Sequence, residues 1–341
     1  MRYRKLPFLI PLALAFLILM PQVAAGQSRA GEAPIGHAPS GIGAAARTPW
    51  GDPDLQGVWT SATTTPFERP TQFGNREFLT DEEVAQTNVD LARRARDDKA
   101  ERPRREGQTG GGPEHWYEGF RLTSHRTSII VDPPDGRLPA LTPEAAQRHD
   151  AERQRFQAAA SATDLGVWVR CIGRGIPGSM LPTGYNNNFQ ILQAPGAVAI
   201  VYEMIHDVRV IPLDGRPHAA PAVRQWMGHA VGRWEGATLV VETTNFREEH
   251  VPISPRDGLG STSPALRVVE RFTRTDANTI EYRVTVDDPQ TYTRPWTAVL
   301  PLIRGGATDR IFEYACHEGN YAVANILRAA RTSEMSGTAE K

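Results

Sequence analysis

Cysteine is almost missing from this chain: Cys171 and Cys316 are the only two in 341 residues. That excludes a disulfide-dense scaffold and any zinc ribbon built from paired Cys-x-x-Cys motifs. An excess of charge is missing as well. Lys and Arg number 38, Asp and Glu 39, for a net charge of -1. Nucleic acid requires a basic footprint, and none is present. The densest basic run, 93–106, is interrupted by Asp97, Asp98, Glu101 and Glu106 and reads as a solvated helix face. Familiar catalytic fingerprints are missing too. There is no Gly-x-Ser-x-Gly elbow, dinucleotide fingerprint, haem-attachment Cys-x-x-Cys-His or EF-hand loop. This argues against common serine hydrolases, Rossmann oxidoreductases and c-type cytochromes. The Gly-rich stretch 107–120 lacks the Lys-Ser/Thr of a phosphate-binding loop. Histidines never fall within five positions of one another, so a metal site would have to gather His206, His218, His229 and His317 from separate loops. No metal or cofactor is expected.

One long apolar run is present, at the N-terminus. Arg2, Arg4 and Lys5 precede an apolar core from Phe8 to Met20, and Val23-Ala24-Ala25 offers small residues for cleavage. This is the pattern of a secretory signal peptide over 1–25, with an uncleaved anchor as the rival reading. Export to the periplasm or beyond follows, with a soluble mature chain and no stable membrane anchor. In an oxidising compartment Cys171 and Cys316 are expected to pair. So long a loop would remove about 4–5 kcal/mol of unfolded-state entropy. Free thiols, or one thiol used chemically, remain the alternative.

Residues 26–48 are rich in Gly, Ala and Pro without periodicity and read as a flexible leader. Residues 49–164 read as a wrapping segment with two helices. Thr80 and Glu83 form a capping box over 79–100, and Thr142-Pro143 starts a second helix through about Ala160. From about 165 the character changes to short strands with turns between them, at 188–193, 197–204, 207–213, 231–234, 238–246, 265–275, 279–288, 296–304 and 310–317. Each strand neighbours the next in sequence, and a meander of this length tends to close because closure removes its edges. The expectation is a mainly β protein with an antiparallel up-and-down barrel over 165–331, of the lipocalin or calycin kind; a β-sandwich is the alternative. A short helix over about 321–331 and a disordered tail, 332–341, end the chain. Within 279–286, Ile280, Tyr282, Val284 and Val286 share one face. Glu270 lies on an apolar face with Leu266, Val268 and Phe272, where a carboxylate needs a partner or a ligand.

Several long segments resemble a family. They are 53-PDLQGVW-59, 127-TSIIVDPPDGRLPALTPEA-145, 180-MLPTGYNNNFQILQAPG-196, 204-MIHDVRVIPLDGRPH-218, 233-RWEGATLVVETTNF-246, 270-ERFTRTDANTIEYRVTVDDP-289, 294-RPWTAV-299 and 313-EYACHEGNY-321. Together they are similar to a large family of exported proteins of soil bacteria such as acidobacteria and proteobacteria. The resemblance covers most of the mature chain and implies export, but no activity is attached to it. The chain departs from the family in having 227-MGHAVG-232 where an Asp-Ser or Asp-Ser-Arg-Gly turn is usual. The likeness to lipocalin-like barrels rests on strand count alone.

Candidate chemistry falls in three stretches and a few scattered residues. In 312-FEYACHEGNYA-322, His317-Glu318 begins like a zinc-protease motif, but position 321 is Tyr rather than His. Strand parity would set Phe312, Tyr314 and Cys316 on one face and His317 on the other, leaving Cys316 structural. In 203-EMIHDVR-209, Glu203 and His206 are the usual parts of a general acid–base pair, and a polar turn with a local ion pair is the plainer reading. In 184-GYNNNF-189, Tyr185 and Asn187 offer groups for a ligand, and a self-satisfied asparagine turn is the plainer reading. Arg209, Trp234, Glu270, His317 and Glu318 complete the candidate ligand set. The leading expectation is a binding protein for a small hydrophobic or aromatic molecule held in a barrel pocket. The alternatives are a hydrolase, lyase or isomerase using Glu203 and His206 in the same pocket, and an envelope interaction module without a ligand.

Overall fold

The computed structural model describes residues 46–96, 122–247, 262–305 and 310–339. The expected signal segment, nearly all of the expected leader and the Gly-rich 107–120 stretch lie outside the described residues.

Among the described residues ten strands form one antiparallel sheet. The N-terminal half supplies β1 (Gly57–Thr60) and β2 (Ile130–Asp132). Then come β3 (Asn188–Ala194), β4 (Ala197–Tyr202), β5 (Val208–Pro212), β6 (His229–Glu235) and β7 (Thr238–Thr244). The last three are β8 (Arg267–Arg274), β9 (Thr279–Asp287) and β10 (Trp296–Arg304). Their order is β5-β4-β3-β1-β10-β9-β8-β7-β6. β1 is the stave that joins two meanders: it pairs with β3 on one side and with Ile303 and Arg304 of β10 on the other. β2 takes the same edge of β10 further back, opposite Thr297 and Ala298.

The sheet curls on itself into a nearly closed barrel, so the sandwich alternative is not what forms. No hydrogen-bonded ladder joins β5 to β6 among the described residues; side chains close that seam instead. Gly232 on β6 permits the approach. A Cβ there would lie 2.7 Å from Ile211 Cγ2 and 2.8 Å from Leu213 Cδ2. Alternation of buried and half-buried residues runs the whole length of β9, as expected for one wall on the core and one toward water. Two-residue turns set the register of the tight hairpins. Ala194 pairs with Ala197 across Pro195-Gly196, and Gly196 takes a φ of 77° that a side chain would oppose.

The barrel interior is filled. Trp59, Phe189, Tyr202, Phe272, Tyr282 and Trp296 are all fully buried in it, among aliphatic residues from nearly every strand. A groove of about 360 Å³ among Asn75, Glu77, Val131, Pro134 and Asp135 lies in the N-terminal segment instead.

Among the described residues three α-helices lie outside the sheet: α1 (Asp81–Arg96), α2 (Pro143–Gln157) and α3 (Tyr321–Ala339). The capping box of α1 forms: Thr80 N donates to Glu83 Oε2 (2.8 Å) and Glu83 N to Thr80 Oγ1 (3.3 Å). Thr142 caps α2 by accepting from Ala145 N at 3.1 Å. Two sequence expectations are corrected. Residues 310–317 are not a strand, because β1 already occupies the free edge of β10 where that strand would have paired. Helix α3 runs to Ala339, where the sequence reading ended it near 331 and placed a disordered tail.

Candidate functional site

One end of the barrel gathers the start of β3, the end of β4 and the start of β5, with the connection 203–207 between the last two. Across this end runs a loop that is itself buried. Gly173 to Gly178 are all buried, and Ile176, Met180 and Leu181 pack into the barrel core. Loops are usually exposed because their backbone polar groups need water. Here short internal turns satisfy several of those groups, including Ser179 N to Gly175 O (2.9 Å) and Met180 N to Pro177 O (2.8 Å). The glycines allow close approach: a Cβ on Gly173 would sit 3.0 Å from Asp207 Oδ2. Two links tie this plug to the segment after β10. Cys171 and Cys316 form a disulfide, and Asn320 Nδ2 donates to Val169 O at 2.9 Å.

Glu203 lies at the centre of this end and is 3% exposed. Asn186 Nδ2 donates to its Oε1. Asn188 Nδ2 (3.2 Å) and Phe312 N (3.4 Å) donate to its Oε2. A buried carboxylate is tolerated only with such donors. The backbone around it is strained. Of five non-glycine residues with left-handed φ among the described residues, Cys171, Asn186, Ile205 and His206 belong to this end. For Ile205, at φ 63°, the β-branch makes that conformation a genuine outlier. Burial raises the pKa of Asp207, and neighbouring His206 draws it back down. Aromatic rings border the same region: Tyr185 is 37% exposed and Phe312 73% exposed.

Arg174 projects from the plug and is 6% exposed. Its guanidinium stacks on Trp168, 5.1 Å from the ring centroid, and the ionisable groups acting on it are Tyr185 and Tyr314. Burial without a counter-charge pushes its pKa down to about 10. Burial, with the Tyr185 hydroxyl beside it, pushes Tyr314 up to about 12.

The sequence candidates do not all converge here. Glu203 does. His206 is exposed, and its Nδ1 meets the Tyr314 carbonyl oxygen at 2.9 Å rather than Glu203. Tyr185 borders the site. Asn187 closes its own turn, with Oδ1 accepting from Thr183 N (2.6 Å) and Nδ2 donating to Thr183 O (3.1 Å). His317 and Glu318 are exposed in the turn after Cys316. Trp234 sits at the far end of β6, beside the turn to β7, half-buried against the core. Arg209 and Glu270 pair inside the barrel. Arg209 Nη2 donates to Glu270 Oε2 (2.5 Å) and to Thr243 Oγ1 (2.6 Å), while Tyr282 OH donates to Glu270 Oε1 (3.0 Å). Burial, the largest single influence, would lower the Arg209 pKa, but Glu270 and Tyr202 together outweigh it and the net shift is upward. His218 and His229 meet through their Nδ1 atoms at 3.2 Å. Among the described residues no group of three or more His, Cys, Asp or Glu is placed to hold a metal ion.

Sequence reasoning missed Trp168, Arg174 and Tyr314, and within the asparagine triplet it chose Asn187 where Asn186 and Asn188 are the ones that hold Glu203. A signal existed for the two asparagines. They belong to the 184-GYNNNF-189 turn, and asparagine tolerates the left-handed backbone that Asn186 adopts.

No family model, curated protein or solved structure matches the chain.

Proposed function

We propose that the protein is an exported binding protein that takes a small hydrophobic or aromatic molecule at the plugged end of the barrel. The observation that carries this reading is the concentration of backbone strain around the buried carboxylate of Glu203. Four left-handed non-glycine residues lie together there, and strain of this kind persists where the surrounding structure over-determines it, as at ligand clamps. The exposed rings of Tyr185 and Phe312 supply apolar contact. The filled interior moves the proposed site from the barrel lumen to its end. Export is part of the proposal. The N-terminal pattern of Arg2 to Ala25, the resemblance to exported proteins and the Cys171–Cys316 disulfide all fit an oxidising compartment. Among the described residues no helix is long and apolar enough to cross a membrane.

Glu203 and His206 do not hydrogen-bond through their side chains, so an acid–base pair has no geometric support. The test is native mass spectrometry of the full chain secreted by its own host. The expected result is a retained small-molecule adduct that is lost on denaturation and depleted in Glu203→Gln. A protein with no adduct, unaffected in melting temperature by any compound of a small aromatic panel, refutes the reading.

A further inference from the structure

We propose that Arg174, with Trp168, Tyr185 and Tyr314, is the subsite for the carboxylate of a small aromatic acid. This deepens the reading of the barrel end as a ligand site and rests on it.

Three arginines are buried among the described residues, and two have protein acceptors. Arg209 has Glu270 and Thr243. Arg69 Nη1 donates to Pro134 O at 2.8 Å. Arg174 is as buried as these, yet no carboxylate, carbonyl or hydroxyl accepts from it among the described residues. Its contacts are the Trp168 ring face and the neighbourhood of two tyrosines. A guanidinium carries five N–H donors and keeps its charge under all ordinary conditions. The Arg174 nitrogens are not sealed from solvent as Arg69 Nε and Arg209 Nε and Nη1 are, so an anion arriving from outside can reach them. The planar fork matches the two oxygens of a carboxylate.

The neighbours narrow the class further. Tyr314 stays protonated, because burial and Tyr185 hold its pKa near 12. It therefore supplies no competing negative charge, and its hydroxyl is hydrogen-bonded to that of Tyr185. No second cation acts on Arg174, so the site balances one negative charge and not the two of a phosphate monoester. Trp168 occupies one face of the guanidinium, and Tyr185, 37% exposed, lies beside it. An aromatic ring attached to the carboxylate would meet these rings edge to face or offset.

The test titrates the full-length mature protein with benzoate, benzamide, acetate and phenyl phosphate, by calorimetry and by thermal shift. Benzoate should bind saturably and raise the melting temperature. Benzamide, the neutral isostere, should bind at least tenfold more weakly, as should acetate, which lacks the ring. Phenyl phosphate should bind more weakly than benzoate. Arg174→Met should lose at least tenfold in benzoate affinity and become indifferent to the charge of the probe. If Arg174→Met does not fold, Arg174→Lys and Tyr314→Phe replace it, each expected to weaken benzoate binding and not benzamide binding. Equal binding of benzoate and benzamide by the wild type overturns the inference. So does an Arg174→Met protein that keeps its preference for benzoate. A neutral adduct retained in native mass spectra of both wild type and Arg174→Met would overturn the anion subsite alone. No adduct and no probe bound would overturn the ligand site as well.

Discussion

Glu270→Gln isolates the charge of the buried pair in the barrel core. Glu270 is fully buried and Arg209 4% exposed. Glutamine keeps the size and leaves a carbonyl oxygen for Tyr282 OH, which now donates to Glu270 Oε1 at 3.0 Å. What disappears is the counter-charge of a guanidinium whose Nε and Nη1 already lack partners in the barrel. Removing one member of a buried pair costs about 3–5 kcal/mol, because the remaining charge stays desolvated. A domain of this size shifts by roughly 2–4 °C per kcal/mol, so the midpoint should fall on the order of 10 °C. The companion variant replaces both charges, Arg209→Met with Glu270→Leu. It should recover most of the loss, since apolar substitutes for a buried pair are often neutral or better. The assay is denaturant unfolding of the wild type, both single variants and the double variant, read as a double-mutant cycle. A Glu270→Gln protein within about 1 kcal/mol of wild type, or a double variant as unstable as the sum of the singles, would refute the reasoning.

Gly232→Val should destabilise by about 1–3 kcal/mol in urea unfolding, because its side chain would overlap buried Ile211 at the seam between β5 and β6. Replacing both Cys171 and Cys316 by serine should lower stability by at most about 5 kcal/mol, given the long loop they close. Hydrogen exchange at Phe312 N–H should speed up in that variant as the segment loosens from Glu203. Burial, followed by the charges of His218 and Arg216, holds the pKa of His229 below the ordinary 6.5. As pH falls through 6.5 the unfolded chain therefore takes up the proton first, so stability should decline from there down to the lower folded value. His229→Gln should be flatter in that window, as measured by melting temperature against pH. His206 is exposed at φ 48°, so His206→Gly should be more stable than His206→Ala by about 1 kcal/mol in the same unfolding assay. Equal stability would mean that the left-handed backbone carries no strain.

The barrel was legible where one physical rule acted alone. β9 shows a pure period of two because one of its faces meets the core and the other water. The caps of α1 and α2 were legible because capping is a local hydrogen-bond pattern. β1 was not. Four residues, GVWT, follow turn residues, and their strand state comes from pairing with β3 and β10, which are distant in sequence. The misreading of 310–317 is the converse. Its Phe, Tyr and Cys alternate like a strand, but the alternation serves a segment held by the disulfide and by Glu203. On the apolar face of β8, Glu270 was read as a carboxylate in need of a partner or a ligand. Arg209 as that partner required the three-dimensional closure of the barrel. Arg174 carried no sequence signal, because burial of its Gly- and Pro-rich loop follows only from the hollow that the barrel end leaves.

The barrel and its end divide the physical requirements between them. A filled interior is rigid, since closely packed side chains have no low-energy alternative arrangement. It therefore cannot open to admit a ligand of useful size without losing the core. The same rigidity lets the end hold conformations that an isolated chain would abandon. Each left-handed non-glycine residue costs on the order of 1–3 kcal/mol, and three of the four at this end are anchored to parts of the core. Cys171 is buried and disulfide-bonded, Asn186 holds Glu203, and Ile205 is buried beside Met204. His206 alone is exposed, and it meets the Tyr314 carbonyl oxygen. Its conformation therefore ties the β4–β5 connection to the segment that carries Cys316, so any molecule lodged between Arg174 and Tyr314 acts on the same connection that positions Glu203.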